Sequence, residues 1–386
     1  MNLLRIVLLL LIPFSGAAFA PARAVIGIST NAGEQRRHNS FPTIYKNRTP
    51  LRVTDIPAVP ESRLRRMRRR KTVILNKRKM INTGYLFSLW YVFSIGYNIF
   101  SKRALNMAPT LAWTTACLQM SMGLAYVLPL WLFGFRDRPR LAGNDIVRLI
   151  PVALLHSLVH IGGVVSMGAG AVSFTYIVKA SEPALSAFLA AATGSILPLT
   201  VYLTLLPTMM GVALASVSEL TFSWKSFNYA MLSNIASASR GIVGKKVINQ
   251  RLGKSMTPSN LYAILTIMAT CALIPITLAM EGSILPSAIA SLRASNQLGS
   301  YVGETLLASL FYYLYNEFAF LCLDNVTPVT HAIGNTLKRV FIIISSMLIF
   351  GNKMNLCGAL GSILAVGGVL MYSLEKNRHA KKSKQK

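Results

Sequence analysis

Acidic residues are scarce in this sequence: 12 Asp and Glu in 386 residues, against 40 Lys and Arg. Charged residues of both signs make up only 13% of the chain, while 53% is hydrophobic and mean hydropathy is positive. Those proportions exclude an ordinary soluble domain, in which about a quarter of residues are charged, and point to an integral membrane protein with the lipid bilayer as its solvent. The cations crowd toward the two ends and leave a lipid-like middle, so no nucleic-acid partner is expected. Cys117, Cys271, Cys322 and Cys357 stand at irregular spacings in apolar stretches, without a CxxC or a nearby His pair. They read as core residues, with no disulfide framework and no metal site. P-loop, nucleophile-elbow and paired-carboxylate patterns are missing too, so neither catalytic residues nor a cofactor is expected.

What is present begins with an address. "MNLLRIVLLLLIPFSGAAFA" has one early Arg, an apolar run from Ile6 to Phe14 and the small residues Gly16, Ala17 and Ala18. That is the layout of a signal peptide over 1–18, with an apolar part too short to span. Residues 19–80 follow with 16 Lys or Arg against Glu34, Asp55 and Glu61, a transit-peptide composition. A signal before a transit-like segment resembles the bipartite leaders of complex plastids, and "AAFAP" resembles their cleavage site. The mature chain is expected to begin between about 70 and 82, after a first cut near Ala18.

From residue 81 to 376, apolar windows long enough to cross about 30 Å of hydrocarbon follow one another. Their centres lie near 90, 120, 157, 183, 206, 234, 269, 312, 340 and 365, which predicts an all-α domain of ten transmembrane helices ahead of a basic tail, 377–386. "VSFTYIVKASEP" around Lys179 is echoed by "TPVTHAIGNTLKR" around Lys338, and "MGVALAS" at 210–216 by "GGVLMYS" at 367–373. The lysines are 159 positions apart and the glycine-valine pairs 157. Such matched offsets predict two repeats of five helices. An odd number inverts the second copy, and transporters built this way bind substrate between the repeats near the midplane. With an even total, both termini share a face, and the richer Lys and Arg content of the loops on that side makes it the inner one.

Lys338 and Arg339 interrupt "TLKRVFIII", where a charge costs roughly 2.5 to 3.5 kcal/mol unless it faces a wet cavity or a partner. Lys179 lies equally deep, Arg240 near the end of another span. Glu182 and Glu317 are the clear intramembrane acids, and Glu182, three residues from Lys179, is expected on the same helical face as a partial counter-charge. Cations still outnumber anions. An arginine fork and compact lysine ammoniums suit a phosphate, and His156, His160, Tyr312, Tyr313, Tyr315 and Asn316 suit the rest of a small polar ligand.

At "AVSFTYIVKASEPALSAFL", "LYNEFAF" and "TPVTHAIGNTLKRVFIIISSMLIF" the chain resembles the plastid triose-phosphate/phosphate translocator family of the drug/metabolite transporter superfamily, over roughly 81–376. The resemblance implies ten helices in two inverted five-helix repeats. It also implies strict exchange of inorganic phosphate for phosphorylated C3, C5 or C6 compounds in a plastid envelope, here the inner envelope of a complex plastid. Matched by position, the family's phosphate-binding lysine falls on Lys179, its adjacent lysine and arginine on Lys338 and Arg339, the tyrosine before them on Tyr315 and the substrate-facing histidine on His160. Gly163 departs from the Thr or Ser of triose-phosphate members, and Tyr176 from their His, while "EPALS" resembles the hexose- and pentose-phosphate branches. Triose phosphate or 3-phosphoglycerate is the expected counter-substrate, a larger sugar phosphate the alternative, and a nucleotide sugar the more distant one. The empty cavity is expected to hold three mutually repelling cations, which a bound phosphate neutralises so that only the loaded carrier reorients.

Overall fold

The computed structural model describes residues 61–386 apart from 220–221, 249–251, 254, 353 and 386. The signal segment and the transit-like segment up to residue 60 lie outside the described residues. Thirteen helices follow one another, and there is no strand among the described residues. They are α1 (Glu61–Met107), α2 (Ala112–Leu132), α3 (Gly143–Ala169), α4 (Val172–Lys179), α5 (Glu182–Ala192), α6 (Leu199–Leu203) and α7 (Leu206–Val217). After these come α8 (Trp224–Ile248), α9 (Pro258–Glu281), α10 (Leu285–Ala294), α11 (Leu298–Asn325), α12 (Pro328–Phe350) and α13 (Leu356–Gln385). Asn82–Lys386 forms one compact unit.

Each of the ten centres expected from hydropathy falls inside a helix. Among the described residues, seven helical stretches are long and apolar enough to cross a bilayer, the shortest being Leu199–Val217, in which α6 and α7 are separated by a break at Thr204 and Leu205. The bundle is built inside out relative to a soluble protein. Val217, Leu348, Leu356 and Ile363 are bare on its flanks, whereas Gln119, Ser166, Asn234 and Thr270 are buried. Lipid offers hydrocarbon no worse than a core does, so helices associate through packing and interhelical hydrogen bonds. The cysteines follow that logic and not the expected core placement: Cys322 is buried, but Cys271 and Cys357 are exposed on the bundle's surface. The short α10 has no counterpart among the expected spans.

Helix starts are written in local chemistry. Thr257 and Thr327 each precede a proline, and each hydroxyl accepts from the backbone N–H three residues on, Asn260 and Thr330 respectively, at 3.2 Å. That is an N-cap with proline where the first turn needs no donor. α3 packs most extensively on α8, and α7 on α13. At the second seam a Cβ on Gly211 would come within 2.3 Å of the Ala365 backbone nitrogen, and one on Gly368 within 2.4 Å of Thr208 Oγ1. The two glycine motifs singled out as echoes thus lie in helices that touch, backbone to backbone. α4 likewise meets α12, bringing the Lys179 and Lys338 segments side by side.

Candidate functional site

Between α1, α3, α4, α8, α11 and α12 lies a cavity of about 320 Å³. Its construction starts with a broken helix. In "VKASEP" the carbonyl of Lys179 would be served in a continuous helix by the N–H of residue 183, but residue 183 is proline and has none. The helix accordingly ends at Lys179 and restarts at Glu182. The Lys179 carbonyl accepts instead from Arg339 Nη1 at 2.5 Å, and Val178 O, which accepts from Ser181 N at 3.1 Å, also accepts from Asn234 Nδ2 at 2.9 Å. Arg339 Nη2 donates to Glu182 Oε2 at 2.5 Å, and Ser237 donates to the other carboxylate oxygen at 2.5 Å. Arg339 is only 7% exposed.

The direct ion pair of Glu182 is thus with Arg339, and toward Lys179 it remains the partial, through-space counter-charge expected from the three-residue spacing. The break turns it onto Arg339 of α12, so that of the three cations expected here one is paired with a carboxylate and the two lysines form no ion pair among the described residues. Lys179 donates to Ser233 Oγ at 2.8 Å, and that hydroxyl in turn donates to Val159 O at 2.8 Å. Lys338 rests against rings: its Nζ stands 4.9 Å from the Trp90 centroid and 5.3 Å from that of Tyr315. A further cation faces the same space. Arg240 Nη1 donates to His156 Nδ1 at 2.6 Å, which assigns the His156 proton to Nε2. Among the described residues, Lys179, Lys338 and Arg240 form no ion pair, so the wall carries four cations and the single carboxylate of Glu182.

The remaining wall is aromatic. The His160 ring lies 4.0 Å from Tyr312, and Tyr315 packs 5.3 Å from Tyr97 and 5.6 Å from Tyr312. His160 Nε2 is buried with no hydrogen-bond partner. Gly163 faces the ammonium of Lys179, and a Cβ built there would stand 3.4 Å from Nζ. All six residues expected at the site, His160, Gly163, Tyr315, Lys179, Lys338 and Arg339, thus line one cavity, together with His156, Tyr312 and Asn316. Tyr313 does not. It faces away, 4.9 Å from Tyr126 and 5.2 Å from Tyr262, near the buried pair formed by Glu317 and Arg136. Arg240 was legible as a cation in an apolar stretch but not as part of the wall. Trp90 carried no signal of any kind in the sequence.

A helical membrane bundle around a small, cation-rich, aromatic-lined cavity is the architecture of a carrier for an organic or inorganic anion. The model of the Triose-phosphate Transporter family matches residues 81–373. The chain belongs to that family, whose members are transporters and not enzymes. It is 37% identical to the chloroplastic triose phosphate/phosphate translocator of Pisum sativum, over 79% of this chain and 75% of the relative. It is 36% identical to the chloroplastic xylulose 5-phosphate/phosphate translocator of Arabidopsis thaliana (77% and 71%). To that plant's chloroplastic glucose-6-phosphate/phosphate translocator 2 the identity is 37% (77% and 76%). Similarity at this even level across three-, five- and six-carbon carriers identifies the family and leaves the sugar open.

Proposed function

We propose that this protein is an antiporter that exchanges inorganic phosphate for triose phosphate or 3-phosphoglycerate across a plastid envelope membrane by alternating access. Lys179, Lys338 and Arg339 hold the phosphate common to both substrates, with Arg240 as a further cation in reach. His160, Tyr315 and the open position at Gly163 face the organic end. The observation that carries this reading is the convergence of those residues, from helices far apart in sequence, on one cavity whose cations exceed its carboxylates. A dianion restores the balance. Its oxygens can take the donors that no protein group uses, while Glu182 keeps Arg339 aligned in the empty state.

The architecture that best supports exchange is ten spans in two inverted repeats. The glycine seam of α7 on α13 and the meeting of α4 with α12 pair corresponding elements of the two halves. α3 packs on α9 as α11 packs on α2, the same relation with the halves exchanged. A charged wall at the repeat interface makes the empty carrier reluctant to close, so net movement is coupled to a bound anion in each direction. Both termini then share the stromal face, and the two-part leader routes the chain to the inner envelope of a complex plastid. A second reading is favoured by Gly163: bare space beside Lys179 leaves room for a five- or six-carbon sugar.

The test is uptake of labelled phosphate by liposomes holding the purified protein and preloaded with phosphate, dihydroxyacetone phosphate, 3-phosphoglycerate, xylulose 5-phosphate or glucose 6-phosphate. Fast uptake is expected only into loaded vesicles, and fastest against the three-carbon compounds. Equal uptake into empty vesicles would overturn antiport, and a preference for glucose 6-phosphate would make the larger-sugar reading correct.

A further inference from the structure

Lys338 is held by neither a carboxylate nor a carbonyl; its ammonium rests over two aromatic faces. The larger face belongs to Trp90, which is 1% exposed and whose Nε1–H is buried without an acceptor. A buried, unpaired donor is unfavourable, and a phenyl ring at this place would avoid it. What the indole offers in return is the strongest π-face for a cation. The ring is also fixed from the back. His331 stacks on it at 4.8 Å with an interplanar angle of 16°, and His331 Nε2 donates to Ala319 O at 3.1 Å. On either side, Tyr91 Oη donates to Gly334 O at 2.7 Å, and Phe87 lies so close to Gly334 that a Cβ there would come within 2.2 Å of its ring. α1 is thereby locked to α12 with the indole inserted between residues 331 and 338.

We infer that Trp90 is the positioning residue for Lys338: together with Tyr315 it keeps the ammonium at the cavity wall with its charge uncancelled, and yields it to the phosphate. The inference rests on the anion-exchange reading above and deepens it. The physical contrast is with Arg339, whose neighbour Glu182 cancels its charge. A ring carries a quadrupole and no net charge, so it orients a cation without neutralising it. The attraction is weaker than the charge-assisted hydrogen bonds that phosphate oxygens make with an ammonium, so the incoming anion displaces the rings.

The experiment uses the full chain in detergent micelles or vesicles and inorganic phosphate as the probe. Phosphate binding is followed by thermal shift, and the Trp90 emission by the difference between the parent and Trp90→Phe. Phosphate is expected to change the Trp90 emission in the parent. Lys338→Met without phosphate should change it in the same direction, because both remove the ammonium from the ring, and that variant should respond no further. In exchange assays Trp90→Leu should raise the KM for phosphate about tenfold and Trp90→Phe less, since phenyl retains a weaker face. If Trp90→Leu does not fold, Trp90→Phe and the emission measurement still decide. A parent that binds phosphate with no change in Trp90 emission, or emission unaltered by Lys338→Met, overturns the inference. A parent that neither binds nor exchanges phosphate overturns instead the reading on which it rests.

Discussion

The protein buries two clusters of charge, and they are built on opposite terms. In one, Arg136 from the α2–α3 connection meets Glu317 of α11, both side chains under a tenth exposed. The same connection is tied to α9 by Asn260, which donates to Asp137 O at 2.9 Å and accepts from Trp131 Nε1 at 3.2 Å. In the other, Arg339 has Glu182, but Lys179, Lys338 and Arg240 face open space with neutral partners only. The first cluster is electrically closed and serves to hold a connection against the bundle. The second is left open on the side where a ligand fits. A buried charge reveals its purpose less by its depth than by whether the fold supplies its counter-charge.

The contrast breaks most severely at the closed cluster. Glu317→Gln leaves Arg136 without its carboxylate and should lower stability by about 3–5 kcal/mol. The surviving folded protein should keep its KM for phosphate, and calorimetry alongside exchange assays checks both. At the open cluster the pattern reverses. Lys179→Ala, Lys338→Ala and Arg339→Ala should each weaken phosphate binding roughly a hundredfold or more. Lys338→Ala, which strips no partner of its counter-charge, should leave the melting temperature of the empty carrier unchanged or higher. Arg339→Lys should fail too, because one ammonium cannot serve the Lys179 carbonyl and Glu182 in the planar geometry of the fork. Near-normal exchange by any of the alanine variants would remove that residue from the site.

The ligand-dependent side of the comparison is next in size. Phosphate at a hundred times its Kd should stabilise the parent by about 2.7 kcal/mol. At that same concentration it should stabilise Glu317→Gln equally and Lys338→Ala by no more than about 0.4 kcal/mol, as melting with and without phosphate shows. The smallest effect is expected at Gly163→Thr. Its Cβ fits at 3.4 Å from Lys179 Nζ, so dihydroxyacetone phosphate exchange should survive. A six-carbon sugar phosphate loses room, at a cost on the order of 1–3 kcal/mol, and competition by the two compounds against phosphate uptake measures the split. Unchanged selectivity would show that Gly163 has no part in sugar choice.

How far the sequence could be read is clear from particular residues. Lys338 and Arg339 announced themselves because charge in hydrocarbon is expensive wherever the helix goes. His160 and Tyr315 stood out as polar groups in apolar spans, family resemblance added Gly163, and the structure places all three on the same wall. Glu182 was read only in part, because its spacing from Lys179 presumed a continuous helix and gave no sign of Arg339. Pro183 was visible four residues on, and it withdraws the N–H that such a helix would need. Trp90 could not be read at all. An indole in an apolar span looks like packing until the fold brings α1 against α12.

By itself the sequence determined that this chain is a helical membrane protein with cations it cannot hide, because hydropathy and charge act through the solvent and need no knowledge of neighbours. Only the tertiary structure decided which cations are cancelled and which are kept free. Pairing depends on a few ångströms between side chains more than a hundred and fifty residues apart, as with Arg339 and Glu182. Coulomb attraction and hydrogen bonding act over those distances in space, and no spacing along the chain encodes them.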